Sequence, residues 1–73
     1  MARSDARDPR LDPKAGDIIQ PRQYKGFALP PKITVHTVLG ELLAVLREGD
    51  VFWVTLDHWR HVYRDAEVLH AAD

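Results

Sequence analysis

The most constraining feature of this 73-residue chain is the stretch 32–55, "KITVHTVLGELLAVLREGDVFWVT". Three short apolar runs rich in β-branched residues are separated by two glycine-centred breaks, Gly40-Glu41 and Glu48-Gly49-Asp50. Runs of this length between turn signals predict strands joined by tight hairpins. In "KITVHTVL", alternation places Ile33, Val35, Thr37 and Leu39 on one face and Thr34, His36 and Val38 on the other. "LLAVLRE" has residues of good helix propensity. It is nevertheless short and lies between glycines, where an isolated helix is marginal and a strand ordinary, so the expectation for Leu42 to Leu46 is a strand. "VFWVT" completes a three-strand meander, and Trp53 within it is expected in the core.

At Thr55 the period changes from two to about 3.6. In "TLDHWRHVYRDAEVLHAAD" the residues Leu56, Trp59, Val62, Tyr63 and Ala66 form one apolar stripe, expected to face inward. Thr55 suits an N-cap, and Asp57 lies in the first turn, where its charge complements the helix dipole. "AEVLHA" closes the chain as a last strand or as more helix. Upstream, "KAGD" predicts a turn into a short strand, Ile18 to Gln20, which Pro21 limits. Residues 21–32, "PRQYKGFALPPK", form a loop: Gly26 and Pro30-Pro31 oppose regular structure, yet Tyr24, Phe27 and Leu29 are too apolar for a plain linker. Residues 1–15 alternate charges with prolines and offer no apolar face, so an extended or mobile arm is expected before a single small β-rich domain, residues 16–73.

These elements predict a mainly β fold, a small SH3-like bent antiparallel sheet or barrel with one short C-terminal helix. The alternative is an α+β fold, an antiparallel sheet crossed by a longer C-terminal helix.

Composition narrows the chemistry. The chain lacks cysteine, so it has neither a disulfide framework nor a thiolate for metal binding or catalysis. The formal net charge of −1 conceals an asymmetry, with an excess of +2 in residues 1–25 and −3 in residues 26–73. Neither half carries the one-sided basic field of a protein built for phosphate backbones. The charged N-terminus has no apolar run behind it, which argues against a signal peptide, and no run is long enough to span a bilayer. A soluble intracellular protein is the expectation.

The densest cluster of chemical groups is "TLDHWRHVYRD", residues 55–65. His58 and His61 are three apart and could reach one ion, but the zinc-protease pattern needs a spacing of four and an adjacent glutamate. Asp57, His61 and Asp65 are related by helical i,i+4 spacing, as on a solvated face. Ser4, the only serine, lies in the expected arm, with no rigid base beside it. The reading is therefore non-enzymatic, with no metal, no cofactor and no small-molecule substrate. Two surfaces remain for a protein partner. One is the loop, through Arg22, Tyr24, Lys25 and Phe27, a mixture suited to an interface hot spot or to a lid. The other is the wet face of the helix, Asp57, His58, Arg60, His61 and Arg64.

The start "DPRLDPKAGD" with Ile18-Ile19, together with "VFWVTLDHWR", resembles small uncharacterised phage and prophage proteins that begin with a DPR-x-DP-x-x-GD phrase and end with W-V-x-L-x-x-W. That resemblance covers the two ends and implies a small accessory protein inside a bacterial host. By analogy with anti-CRISPR proteins and inhibitors of host transcription, it implies binding to a host protein complex by steric occlusion. Alternatives are a nucleic-acid-binding regulator that uses the basic arm Arg3, Arg7, Arg10 and Lys14, and an oligomeric virion component.

Overall fold

The computed structural model describes residues 7–72. Five strands and one helix follow in order: β1 (Ile18–Gln20), β2 (Ile33–Leu39), β3 (Leu42–Arg47), β4 (Asp50–Thr55), α1 (Leu56–Val62) and β5 (Glu67–His70). All five strands form one antiparallel sheet in the order β4-β3-β2-β1-β5. The first strand thus pairs with the last, and a single helix connects β4 to β5, as in SH3-like sheets. The protein is mainly β, as the alternation predicts. Helix α1 has seven residues and the chain then returns to the sheet as β5, which sets aside the long-helix alternative.

Local chemistry explains the two hairpins. Leu39 pairs with Leu42 across Gly40-Glu41, and Gly40 adopts φ 62° at the first loop position, where an L side chain is strained. Arg47 pairs with Asp50 across Glu48-Gly49, with φ of 51° and 85°, the double positive φ of a type I′ turn. Segment 42–47 is a strand, as expected: between two such turns, the pairing available on both sides outweighs its helix propensity.

The core comprises Ile19, Ile33, Val35, Leu43, Val45, Trp59 and Ala66, with Val38, Val54, Leu56 and Tyr63 packed against it. The strict alternation predicted for β2 fails halfway. The register slips between Val35 and Thr37, so His36 is an extra, exposed residue. Beyond this bulge the faces exchange: Val38 packs on the core, opposite Leu43, and Leu39 is exposed. Trp53 also departs from its expected place. It is 56% exposed and stands opposite Ala44 on the outer face of the sheet, so it covers that small residue and is not itself covered. Val62, expected to face inward, is 47% exposed at the end of α1, where it lies outside the core formed by Trp59 and Ala66.

Residues 7–15, from the expected extended or mobile arm, lie against the domain; residues 1–6, including Arg3 and Ser4, are outside the described residues. Two turns on Asp8 coil this segment: its carbonyl accepts from the Leu11 and Asp12 amides, and its carboxylate accepts from the Arg10 amide at 3.0 Å. Pro9 and Pro13 are buried. The Pro9 carbonyl accepts from Trp59 Nε1 at 2.9 Å, and the Leu11 carbonyl accepts from Arg60 Nε at 2.7 Å. The two phrases at opposite ends of the chain therefore meet in space.

Asp17 closes the structure. Its side chain is fully buried, and each carboxylate oxygen accepts twice. Oδ1 takes Arg7 Nη2 at 2.8 Å and the Ala72 amide at 2.6 Å; Oδ2 takes Arg7 Nη1 at 2.5 Å and the Lys14 amide at 2.7 Å. Arg7 also donates to the Ala72 carbonyl. Burial pushes the Asp17 carboxyl up, but the Arg7 hydrogen bonds, the Ala72 and Lys14 amides and the Arg7 charge outweigh it and hold the group below its ordinary value. Gly16 beside it adopts φ 100°, and a Cβ there would come within 3.1 Å of Ala72 Cβ. One buried carboxylate thus ties residue 7 to residue 72, and the Asp17 backbone pairs with Val35 of β2.

Candidate functional site

A groove of about 360 Å³ lies between the β1–β2 loop and the end of α1. Pro21, Tyr24, Phe27 and Pro30 form one wall, and Val62, Tyr63 and Ala66 form the other. Arg22 and Asp65 face each other across the rim at 3.8 Å, both more than half exposed, a separation that contributes little to stability.

The loop is shaped by local bonds. The Phe27 amide donates to the Tyr24 carbonyl at 3.0 Å, closing a turn in which Gly26 has φ 88°, the glycine position of a type II turn. Gln23 Nε2 donates to the Phe27 carbonyl at 3.1 Å, and Gln20 Nε2 donates to the Pro30 carbonyl at 2.7 Å, which clamps the loop's base. The Arg22 guanidinium lies 5.3 Å from the centre of the Tyr24 ring. Tyr24 and Phe27 are left 60% and 73% exposed. They stand at the mouth of the groove.

The other wall is set by the cap of α1. Thr55 has extended backbone, and its hydroxyl accepts from the His58 amide at 3.1 Å. The Leu56 amide donates to the Glu41 carbonyl at 2.8 Å, anchoring the helix to the β2–β3 turn. One turn later Trp59 is fully buried, and Tyr63 tilts against it with ring centres 4.8 Å apart. Burial pushes the Tyr63 phenol up, opposed only by the nearby Arg47 charge.

Of the residues singled out in the sequence, the groove brings together Arg22, Tyr24 and Phe27; Lys25, at the tip of the turn, is exposed and is not part of its lining. Asp57, His58, Arg60, His61 and Arg64 are exposed along α1 and just after it, and none of them lines the groove. Two of them are engaged internally: Arg60 holds the Leu11 carbonyl, and the Arg64 carbonyl accepts from Arg10 at 3.3 Å. His58 borders a second hollow of about 250 Å³ with Arg47, Phe52 and Tyr63. Among the described residues, no three His, Asp or Glu side chains converge as a metal site would require. Pro21, Pro30, Val62, Tyr63 and Asp65 also line the groove, and nothing local in the sequence marks them as a binding surface. The legible signal was limited to the pair of prolines that frame the loop.

Comparison with protein-family models, with curated proteins and with solved structures gives no match. Among the described residues, no helix is long and apolar enough to cross a membrane.

Proposed function

We propose that this chain is a non-enzymatic protein-binding module that receives an apolar segment of a partner protein in the groove between the β1–β2 loop and α1. A single observation carries this reading. Tyr24 and Phe27 are held outward by a hydrogen-bonded turn, beside an apolar groove whose rim offers one charge of each sign. Large aromatics presented on a braced turn lose little side-chain freedom on contact, which is the economy of an interface hot spot. Arg22 and Asp65 would orient the incoming segment, and a domain seated there would block its partner by occlusion. The setting, a phage-type inhibitor or modulator of a host protein complex in the bacterial cytoplasm, is carried by the resemblance of the two end phrases.

The nucleic-acid alternative depends on the basic arm, and the described geometry does not favour it: Arg7 is bound to Asp17 and Arg10 to Asp8. The test is affinity capture from a bacterial lysate with the wild-type chain and with Tyr24→Ala and Phe27→Ala. Stoichiometric capture of one protein, lowered at least about tenfold by either substitution, is expected. Capture that the two substitutions leave unchanged would remove the groove from the interface.

A further inference from the structure

The sheet ends on two edges that differ in kind. β5 has four residues and carries Glu67 and His70, the polar side chains that discourage pairing. β4 has six, and from Val51 to Val54 it holds neither charge, proline nor bulge. Val51, Phe52 and Trp53 are 50%, 44% and 56% exposed.

The ladder between β3 and β4 determines which backbone groups of β4 face outward. A two-residue turn closes on a hydrogen-bonded pair, here Arg47 and Asp50, and the pairs then alternate along the hairpin. The N–H and C=O of Phe52 and Val54 therefore point to β3, and those of Val51 and Trp53 point away from it. Among the described residues, these outward groups have no backbone partner.

We propose that β4 is a self-pairing edge, through which two copies of this chain join antiparallel about a two-fold axis at Phe52. In a continuous antiparallel sheet, residues directly opposite share a face, so the axis must pass through a residue. An axis at Trp53 would set Leu56 and the head of α1 against Asp50 of the second copy. An axis at Phe52 engages residues 50–54 and ends before the N-cap at Thr55. It sets Val51 opposite Trp53 of the second copy, and the reverse, forming about four backbone hydrogen bonds from groups left unpaired in one copy. Val51 and Trp53 then pack side by side on the outer face, and Phe52 meets Phe52 on the inner one.

The register also avoids a charge clash. Asp50 falls opposite Val54 and not opposite its own copy, so no like charges meet. The outer face adds area: Leu39, Leu42, Leu46, Val51 and Trp53 lie on it and are all exposed. Together they present on the order of 500 Å² of apolar surface, comparable to the largest patch on an ordinary monomer. Edge pairing covers only the β4 part, short of the roughly 800 Å² per partner of a standard interface. The dimer is therefore weak and concentration-dependent. None of the groove's lining residues lies on β4, so this inference and the proposed function stand or fall separately.

Light scattering behind size exclusion, from micromolar to millimolar chain, should read a mass rising from 8.3 kDa toward twice that value. Trp53→Lys should hold the mass at one chain. Because the chain has no cysteine, Phe52→Cys supplies one thiol at the axis. Facing Cα atoms of a non-hydrogen-bonded pair are about 4.5 Å apart, within disulfide reach. Oxidation should cross-link Phe52→Cys and leave Leu69→Cys, on β5, largely uncoupled. A wild-type chain that stays monomeric to millimolar concentration overturns the proposal. So does a dimer that survives Trp53→Lys, or equal cross-linking at positions 52 and 69.

Discussion

Replacing Asp17 with asparagine should remove a large part of this protein's stability, and the geometry supplies the magnitude. Each carboxylate oxygen accepts two hydrogen bonds, from Arg7 and Ala72 on one side and from Arg7 and Lys14 on the other. An amide is isosteric, but its NH2 must occupy one of these positions, where it faces two donors and satisfies neither. Two bonds to a charged group are lost, at about 1.5–3 kcal/mol each, and Arg7 loses the buried Asp17 carboxylate. Removing one partner of a buried pair typically costs about 3–5 kcal/mol, so a loss of about 3–4 kcal/mol is expected. An ordinary domain of this length has about 4–11 kcal/mol in total. Asp17→Asn should accordingly melt about 15–30 °C lower and unfold at a clearly lower urea midpoint with the slope unchanged. The pH dependence supplies an independent check. The folded carboxyl lies below its unfolded value of about 3.9, so its contribution is complete above that pH and is lost as pH falls through the folded value. Wild type should lose stability in that acid window, and Asp17→Asn should lose less. A cost below about 1 kcal/mol would show that the pair behaves as a solvent-screened surface contact and would refute the clasp.

Other substitutions probe the remaining supports. Trp59→Phe removes the Nε1 bond and leaves the Pro9 carbonyl without its donor in a buried setting; urea unfolding should show a loss of about 2–3 kcal/mol. Thr55→Ala deletes the hydroxyl that caps the His58 amide and should cost about 1 kcal/mol by thermal melt, with the sheet's circular dichroism retained.

Much of the fold was legible because it depends on short-range chemistry. Gly40 and Gly49 occupy left-handed positions that few other residues tolerate, and the β-branched runs between them have the length of strands. Thr55 followed by Asp57 is a helix-start signal carried by neighbouring residues alone. The candidate site was legible in part: Tyr24 and Phe27 stood out as too apolar for a linker, and the loop does present them. The opposite wall was not, because Val62 and Tyr63 fall on the same helical stripe as Trp59. Periodicity alone cannot say that α1 ends just where that stripe would leave the core.

The sequence by itself determined the mainly β character, the two hairpin turns, the cap of α1 and the burial of Trp59, since each follows from backbone preference or from the period of a contiguous segment. Tertiary structure alone decided the rest. The His36 bulge reverses the faces of half of β2, because one unpaired residue in a ladder shifts every side chain after it. Trp53 lies outside because its place in the ladder is opposite Ala44, on the face away from the helix. The charged, proline-rich start is held by Asp17 through Arg7, ten residues earlier, and Ala72, fifty-five residues later. Bonds between such distant positions leave no local periodicity. They exist only once β1, between β2 and β5, has brought residues 7 and 72 to the same edge of the core.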